Sequence, residues 1–421
     1  MYDQELDELI QKESQYYLSV IDLIAAFNAP TRFVRVNEDW GVAQFRSTEG
    51  LLNRKPYAGT QNFDAIEALA VRRGCELFGA EHCIVQPLSG SQANLAVYKA
   101  LLNPGDKILS MSMSSGGHLT HGLKQHIVHD LYEVIHYTVD PKTHLLDYDQ
   151  IMRIAEQEKP RLIIAGYSAY PRAVDFGRFQ EIGNVIEAYV MADISHIAGF
   201  VATGLHQNPC KHGIVVTASV KKTLRGTHGG FILCPRELAA VIDRAVFPGY
   251  QSSIGLADIV TMARVFFEAR SKDFCECQRR VLDHARLMAD IFKQRGISLI
   301  AGGTDTHMVV LHVGVLGLTG RDAEQRLERI GILTNRNIIP FDPTPPFEAS
   351  GLRIGTNTVT ARGFEAKEIR LLAHCISDAL LARHWTHELE LDFRSRVAAL
   401  VARYRDSDTL NDLRRLHGNV E

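Results

Sequence analysis

Paired cysteines are missing from this chain of 421 residues. Its seven cysteines are odd in number and never stand in C-x-x-C spacing, so neither a disulfide frame nor a zinc site is indicated, no metal is expected, and a reducing cytoplasm fits. Long apolar runs are missing too. The most apolar stretch, residues 188–202, is interrupted by Asp193 and His196, which argues against a membrane span. The first ten residues are acidic and lack the basic-then-apolar order of an export signal. No block of like charge stands out, and 46 basic residues nearly balance 49 acidic ones, which gives a nucleic-acid backbone or an anionic membrane surface no footing. Internal repeats and low-complexity tracts are absent as well. With 46% hydrophobic residues, the expectation is a globular protein with room for two domains that works on a small molecule.

What the chain does have is an alternation of short apolar runs and helical periodicity, the pattern of an α/β sheet. Runs at 107–111, 161–165, 188–192 and 213–220 read as strands, and each leads to a polar residue or loop: His118, Ser168, Asp193, and the pair Lys221 and Lys222. In open parallel sheets ligands sit beyond the carboxyl ends of the strands, so these residues should converge. Ser89, Gly90 and Ser91 open a helix whose free N–H groups and positive dipole end suit a phosphate. Asp193 follows an apolar run, where an unpaired carboxylate would be costly, and so needs a cationic partner or a capping role. A lysine held in a partly dry site loses proton affinity and can attack an aldehyde. Side-chain alternation along a strand would allow only one of Lys221 and Lys222 into the crevice.

Residues 46–60, with Glu49 and Tyr57, read as a loop, and 64–78 as a helix. From about Leu256 the pattern changes to a long helical stretch up to Gln294, then short strands at 297–300 and 308–312 and further helices, which reads as a second, smaller α+β domain. There Arg353 lies between glycines in an apolar strand, where a guanidinium needs an anion and its fork matches a carboxylate. The expected organisation is an N-terminal helical arm at 1–47, a large domain at 48–278 and a small domain at 279–421, with a peripheral polar tail at 406–421.

Six motifs taken together resemble the serine hydroxymethyltransferase family over nearly the full length of the chain. They are Ser89-Gly-Ser-Gln-Ala-Asn94, Gly116-Gly-His-Leu-Thr-His-Gly122, Ala192-Asp-Ile-Ser-His-Ile-Ala-Gly199, Lys222-Thr-Leu-Arg-Gly226, Leu318-Thr-Gly-Arg-Asp-Ala-Glu324, and residues 350–356 followed by Arg362-Gly-Phe364. The resemblance implies the fold type I architecture of pyridoxal 5'-phosphate enzymes, with a mainly parallel seven-stranded sheet between helices and a smaller α+β domain. It implies that Lys222 carries the cofactor aldehyde, that Asp193 pairs with the pyridinium nitrogen, and that His118 stacks on the ring. Ser89, Gly90 and Ser91 would take the phosphate, Ser168 and His196 would bond the ring oxygen, and Ser219 would complete the cofactor site. Arg353 would clamp the substrate carboxylate. Glu49 would be the acid/base carboxylate and Tyr57 one of two paired tyrosines, both supplied by the neighbouring subunit of a homodimer; whether dimers pair into a tetramer stays open. Leu119 and Asn337 match positions lining a tetrahydrofolate site.

Departures from the family pattern gather where an amino-acid substrate would sit. Ala26 replaces a serine, Ser47 lies where a tyrosine supports the carboxylate, Pro56 replaces the first paired tyrosine, Lys221 a histidine and His228 an arginine, and residues 250–253 lack a glycine pair. Neither cofactor binding nor proton removal at Cα requires the two hydroxyl donors to the carboxylate lost at Ala26 and Ser47. The expected activity is making or breaking the Cα–Cβ bond of a serine- or glycine-like β-hydroxy amino acid with tetrahydrofolate as one-carbon carrier, on the same substrate or a related one. A folate-independent aldolase or transaldolase and a catalytically idle binding protein are the alternatives.

Overall fold

The computed structural model describes residues 4–31, 34, 41 and 43–403. They form two compact units. One holds the described residues up to Ala29 together with those from Arg280 on, and the other holds those from Pro30 to Arg279. The second division falls between Arg279 and Arg280. At the amino end the structure differs from a separate arm at 1–47: the helix Gln4–Ser19 is followed by a strand, β1 (Ile21–Asp22), that pairs in parallel with Ile332–Leu333, so residues up to Ala29 join the C-terminal unit. The polar tail at 406–421 lies outside the described residues.

In the larger unit, β2 (Ser47–Glu49) leads a loop, and a seven-stranded sheet follows among the described residues. Its strands are β3 (His82–Ile84), β4 (Lys107–Met111), β5 (Glu133–Tyr137), β6 (Leu162–Gly166), β7 (Tyr189–Asp193), β8 (Val215–Ser219) and β9 (Gly230–Cys234), in the order β3-β9-β8-β7-β6-β4-β5. The strands β4 to β8 run parallel, and β9 runs against them, antiparallel to both its neighbours β8 and β3, so the sheet is mixed but mostly parallel, as expected. Every residue of β6, β8 and β9 is buried, which is why they read as continuous apolar runs rather than alternating ones. One face is covered by Gly90–Leu101 and Arg236–Val246, whose Ala93, Val97, Ile242 and Val246 pack with Ile164, Met191, Val215 and Ile232. A short strand, β10 (Ser253–Gly255), pairs antiparallel with β2.

The expected helix over 256–294 is two, Leu256–Glu268 and Lys272–Gln294, because the Ser271 hydroxyl accepts from the Phe274 N–H and caps a fresh start. The smaller unit contains β11 (Met308–His312), β12 (Ile332–Leu333), β13 (Asn335–Asn337) and β14 (Gly351–Gly355), with β11-β14-β13 forming an antiparallel sheet. Residues 297–300 make only a bridge between Leu299 and Leu311, since Ala301 at φ 54° and the glycines after it turn the chain away.

The N-terminal segment is fastened to this unit partly by a buried charged cluster. Asp22 is buried and its Oδ1 accepts from the Ile24 N–H at 2.9 Å, while the buried Arg362 guanidinium lies 4.7 Å from the Tyr17 ring centre. Burial pushes the Asp22 carboxyl up to about 6, against the Ile24 N–H, the Arg362 charge and the Tyr17 hydroxyl, which all favour its ionised form. A folded-state value above the unfolded one of about 3.9 means that the group stabilises the fold below that unfolded value. That contribution is lost as pH rises through about 6. Thermal unfolding at about pH 4 and about pH 7 should therefore show a component on the order of 2 kcal/mol that Asp22→Asn abolishes; an unchanged pH dependence in that variant contradicts the assignment.

Candidate active site

Asp193 ends β7 fully inside the protein, and the surrounding elements each send it a donor. The Ser195 N–H, two residues on, reaches Oδ1 at 3.0 Å. Asn94, one turn into the helix Gly90–Leu101, donates its amide to Oδ2 at 2.9 Å, and His121 Nε2 lies 3.1 Å from the same oxygen. The tautomer of His121 follows from its other nitrogen: Nδ1 accepts from the His118 N–H at 3.4 Å, so the proton sits on Nε2 and points at the carboxylate. Burial alone would raise this acid. The His121 hydrogen bond, helped by the Lys222 charge, outweighs it and holds Asp193 well below the usual carboxylate range.

Asn94 is itself fixed. Its carbonyl accepts from the Thr217 hydroxyl on β8 at 2.6 Å, and its amide also donates to Thr120 Oγ1 at 2.9 Å. Thr120 in turn donates its N–H to His118 Nδ1 at 3.3 Å. Burial, then the neighbouring His121, drive the His118 imidazole down to about 3, so it is neutral at physiological pH. The loop carrying His118 is tied to the end of β6, where the N–H of Ser168 donates to the Gly116 carbonyl at 2.7 Å. Gly116 has φ 109°, and a Cβ there would come within 2.7 Å of the Tyr170 nitrogen, so only glycine allows this approach.

At the end of β8, Ser219 and Ser195 meet the start of the helix Gly90–Leu101. Ser195 Oγ accepts from the Ser219 N–H at 3.0 Å, and a Cβ on Gly90 would fall 3.1 Å from Ser195 Oγ and 3.2 Å from Ser219 Cβ. Ser89 caps the helix, its hydroxyl accepting from the Gln92 N–H. The strand itself stops at Ser219, so side-chain alternation does not extend to the two lysines, contrary to the sequence expectation. Burial separates them instead: Lys222 is 8% exposed, whereas Lys221 is only half-buried.

Glu49 ends β2 and accepts from the Tyr57 hydroxyl at 2.7 Å, while Ser47, Tyr57 and Leu119 are exposed. His196 is buried, and its carbonyl accepts from Thr223 Oγ1. In the smaller unit Arg353 lies on β14, buried, with Nε donating to Asn335 Oδ1 at 3.1 Å; burial lowers the guanidinium to about 10. Asn337 lies opposite Gly351 on the neighbouring strand.

A buried amine, a buried anionic carboxylate and a hydroxyl-rich helix start are a set that would suit an aldehyde-bearing pyridine phosphate: Lys222 would meet the aldehyde, Asp193 the ring nitrogen, and Ser89 and Gly90 the phosphate. Comparison with known proteins decides the matter. The family model described as serine hydroxymethyltransferase matches residues 1–376. The chain is also 42% identical over 402 residues, 96% of its own length and 96% of the other's, to a serine hydroxymethyltransferase of Coprothermobacter proteolyticus. The chain belongs to the serine hydroxymethyltransferase family. It is accordingly a pyridoxal phosphate-dependent transferase of fold type I, with tetrahydrofolate as co-substrate and a small amino acid as substrate in a family that is typically oligomeric. Neither the folate-free aldolase nor the idle binding protein is favoured.

For a serine hydroxymethyltransferase site, sequence reading passed over Asn94, Thr120 and Thr217 as functional residues, while His121 stood with His118 in a loop that resembled a site. Asn94 had a signal, being a polar residue on the apolar side of a helix one turn after Gly90. Thr217 had none, since threonine is unremarkable in a strand. The network sets a test: Thr217→Val strips the buried Asn94 carbonyl of its donor and should lower unfolding free energy by about 1–3 kcal/mol in denaturant titration, with Thr217→Ser near wild type. Equal stability of the Val variant would contradict the network.

Proposed function

We propose that Lys222 is the residue that carries pyridoxal phosphate and that Asp193, His118, Ser89, Gly90, Ser91, Ser168, His196 and Ser219 hold it for transfer of a hydroxymethyl group between a serine-like amino acid and tetrahydrofolate. The observation that carries this reading is the placement of the buried Lys222 amine beyond β8, next to the strand whose end bears the ionised Asp193. Bound pyridoxal phosphate supplies an aldehyde for an amine and a ring that draws electron density from the substrate α-carbon.

Asp193, with its donors already supplied by the protein, keeps a proton on the ring nitrogen because it is the stronger acid and cannot take that proton cheaply. A neutral His118 offers a flat apolar face without adding a cation beside the ring. Arg353 takes the substrate carboxylate, a role supported by its buried guanidinium and the family likeness. Glu49 moves the proton on the substrate hydroxyl, and Tyr57, which donates to it, sets its orientation. The family likeness supports assigning Leu119 and Asn337 to folate binding and Ser47 to substrate binding.

The active form is a homodimer in which Glu49 and Tyr57 serve the neighbouring subunit. Exposure of that pair's loop, and of Leu6, Leu9 and Ile10 on the first helix, supports this assembly. The protein acts in the cytoplasm: its seven cysteines are all free thiols, and no helix among the described residues is long and apolar enough to cross a membrane.

The test is chemical. Borohydride reduction of the holoenzyme followed by peptide mapping should place the reduced cofactor on Lys222, and Lys222→Ala should lower hydroxymethyl transfer at least about a thousandfold. A label on Lys221, or on neither lysine, overturns the reading.

A further inference from the structure

The loop after β2 presents mostly exposed side chains, yet that of Lys55 is completely shielded, at 0% exposed. Its Nζ lies 2.5 Å from Glu67 Oε2, 3.5 Å from the Gly50 carbonyl and 3.7 Å from Asp64 Oδ1. The buried Gln86 closes the group: its amide nitrogen donates to the same Gly50 carbonyl at 2.9 Å and to Glu67 Oε1 at 2.7 Å. Gln86 is held by Gln251, which donates to its backbone carbonyl at 2.8 Å. Asp64 accepts from the Asn53 N–H at 2.8 Å, a second tie to the same loop.

Burying an ion pair in this way adds little stability, since desolvation offsets the attraction, whereas removing one partner leaves a buried charge exposed to no compensation. What the group does achieve is positional. Two donors from separate segments converge on the carbonyl of Gly50, the residue directly after Glu49, and Gly50 has no room for a Cβ, which would meet the Arg54 carbonyl at 2.9 Å. Glu49 is thus held from behind by Gly50 and in front by the Tyr57 hydroxyl.

We propose that Lys55, Glu67 and Gln86 are positioning residues that set the Glu49–Tyr57 pair for proton transfer. This rests on the role given to Glu49 above. Because misplacement of a reacting group by about 1 Å can cost a hundredfold, loosening the Gly50 carbonyl should lower kcat while leaving cofactor binding intact.

The test is a double-mutant cycle on the holoenzyme with Lys55→Met, Glu49→Gln and the pair, reading kcat, KM for serine, cofactor absorbance and the pH profile of kcat/KM. Lys55→Met should reduce kcat about tenfold or more with KM changed less than about threefold and should shift the acid limb of the profile; Lys55→Arg should recover most of the loss. In the Glu49→Gln background the Lys55 change should add less than about twofold. Full kcat in folded Lys55→Met, or losses that simply multiply, overturns the proposal and leaves the Glu49 role standing. Full kcat in Glu49→Gln overturns both. If Lys55→Met yields no folded holoenzyme, Gln86→Met is read by the same criteria, since it removes one tie to Gly50 and keeps the ion pair.

Discussion

A carboxylate taken out of water must be charged for a reason, and the larger unit is arranged around keeping Asp193 charged. An isolated anion at the end of a buried strand would neutralise itself. Here a backbone N–H, an asparagine and a histidine meet it from a tight turn, a helix and a loop, the last two separated from it by 99 and 72 residues of chain. Each side-chain donor is oriented by a further bond: Asn94 by Thr217, His121 by the His118 backbone. The parallel order of β6, β7 and β8 brings their carboxyl ends to the same side, where Asp193 ends β7, so the fold and the ionisation state are one problem.

Buried charge recurs at other junctions, with different outcomes. Asp22 beside Arg362 and Tyr17 fastens the N-terminal segment to the C-terminal unit, and its acidity is weakened because burial prevails over its partners. Lys55 with Glu67 ties an otherwise exposed loop to a helix. At Asp193 alone of these the surrounding donors win by a wide margin, which suits the role proposed for it beside a positive ring.

Much of this was legible in the amino-acid sequence. Continuous apolar runs ending in Ser168, Asp193 and the lysines predicted parallel strands with polar ends, because strands buried on both faces have little choice of composition. Ser89 and Gly90 announced a helix start. The choice between Lys221 and Lys222 could not come from strand alternation, since the strand stops before them and burial in a turn depends on distant packing. Thr217 and Gln86 were opaque for the same reason: their partners, Asn94 for the first and Gly50 with Glu67 for the second, lie well removed along the chain, while Asn94 showed only as a polar residue on an apolar helix face. The break at Ser271 and the turn at Ala301 escaped periodicity because single residues decide them.

The central claim is that Asp193 stays anionic so that the cofactor ring stays protonated. Reconstitution with pyridoxal phosphate labelled with nitrogen-15 in the ring, followed by NMR of the holoenzyme from about pH 6 to about pH 9, reads that proton directly. The account predicts a protonated ring nitrogen across the whole range in the wild type, and its loss in Asp193→Ala. A neutral ring nitrogen in the wild-type holoenzyme would contradict it.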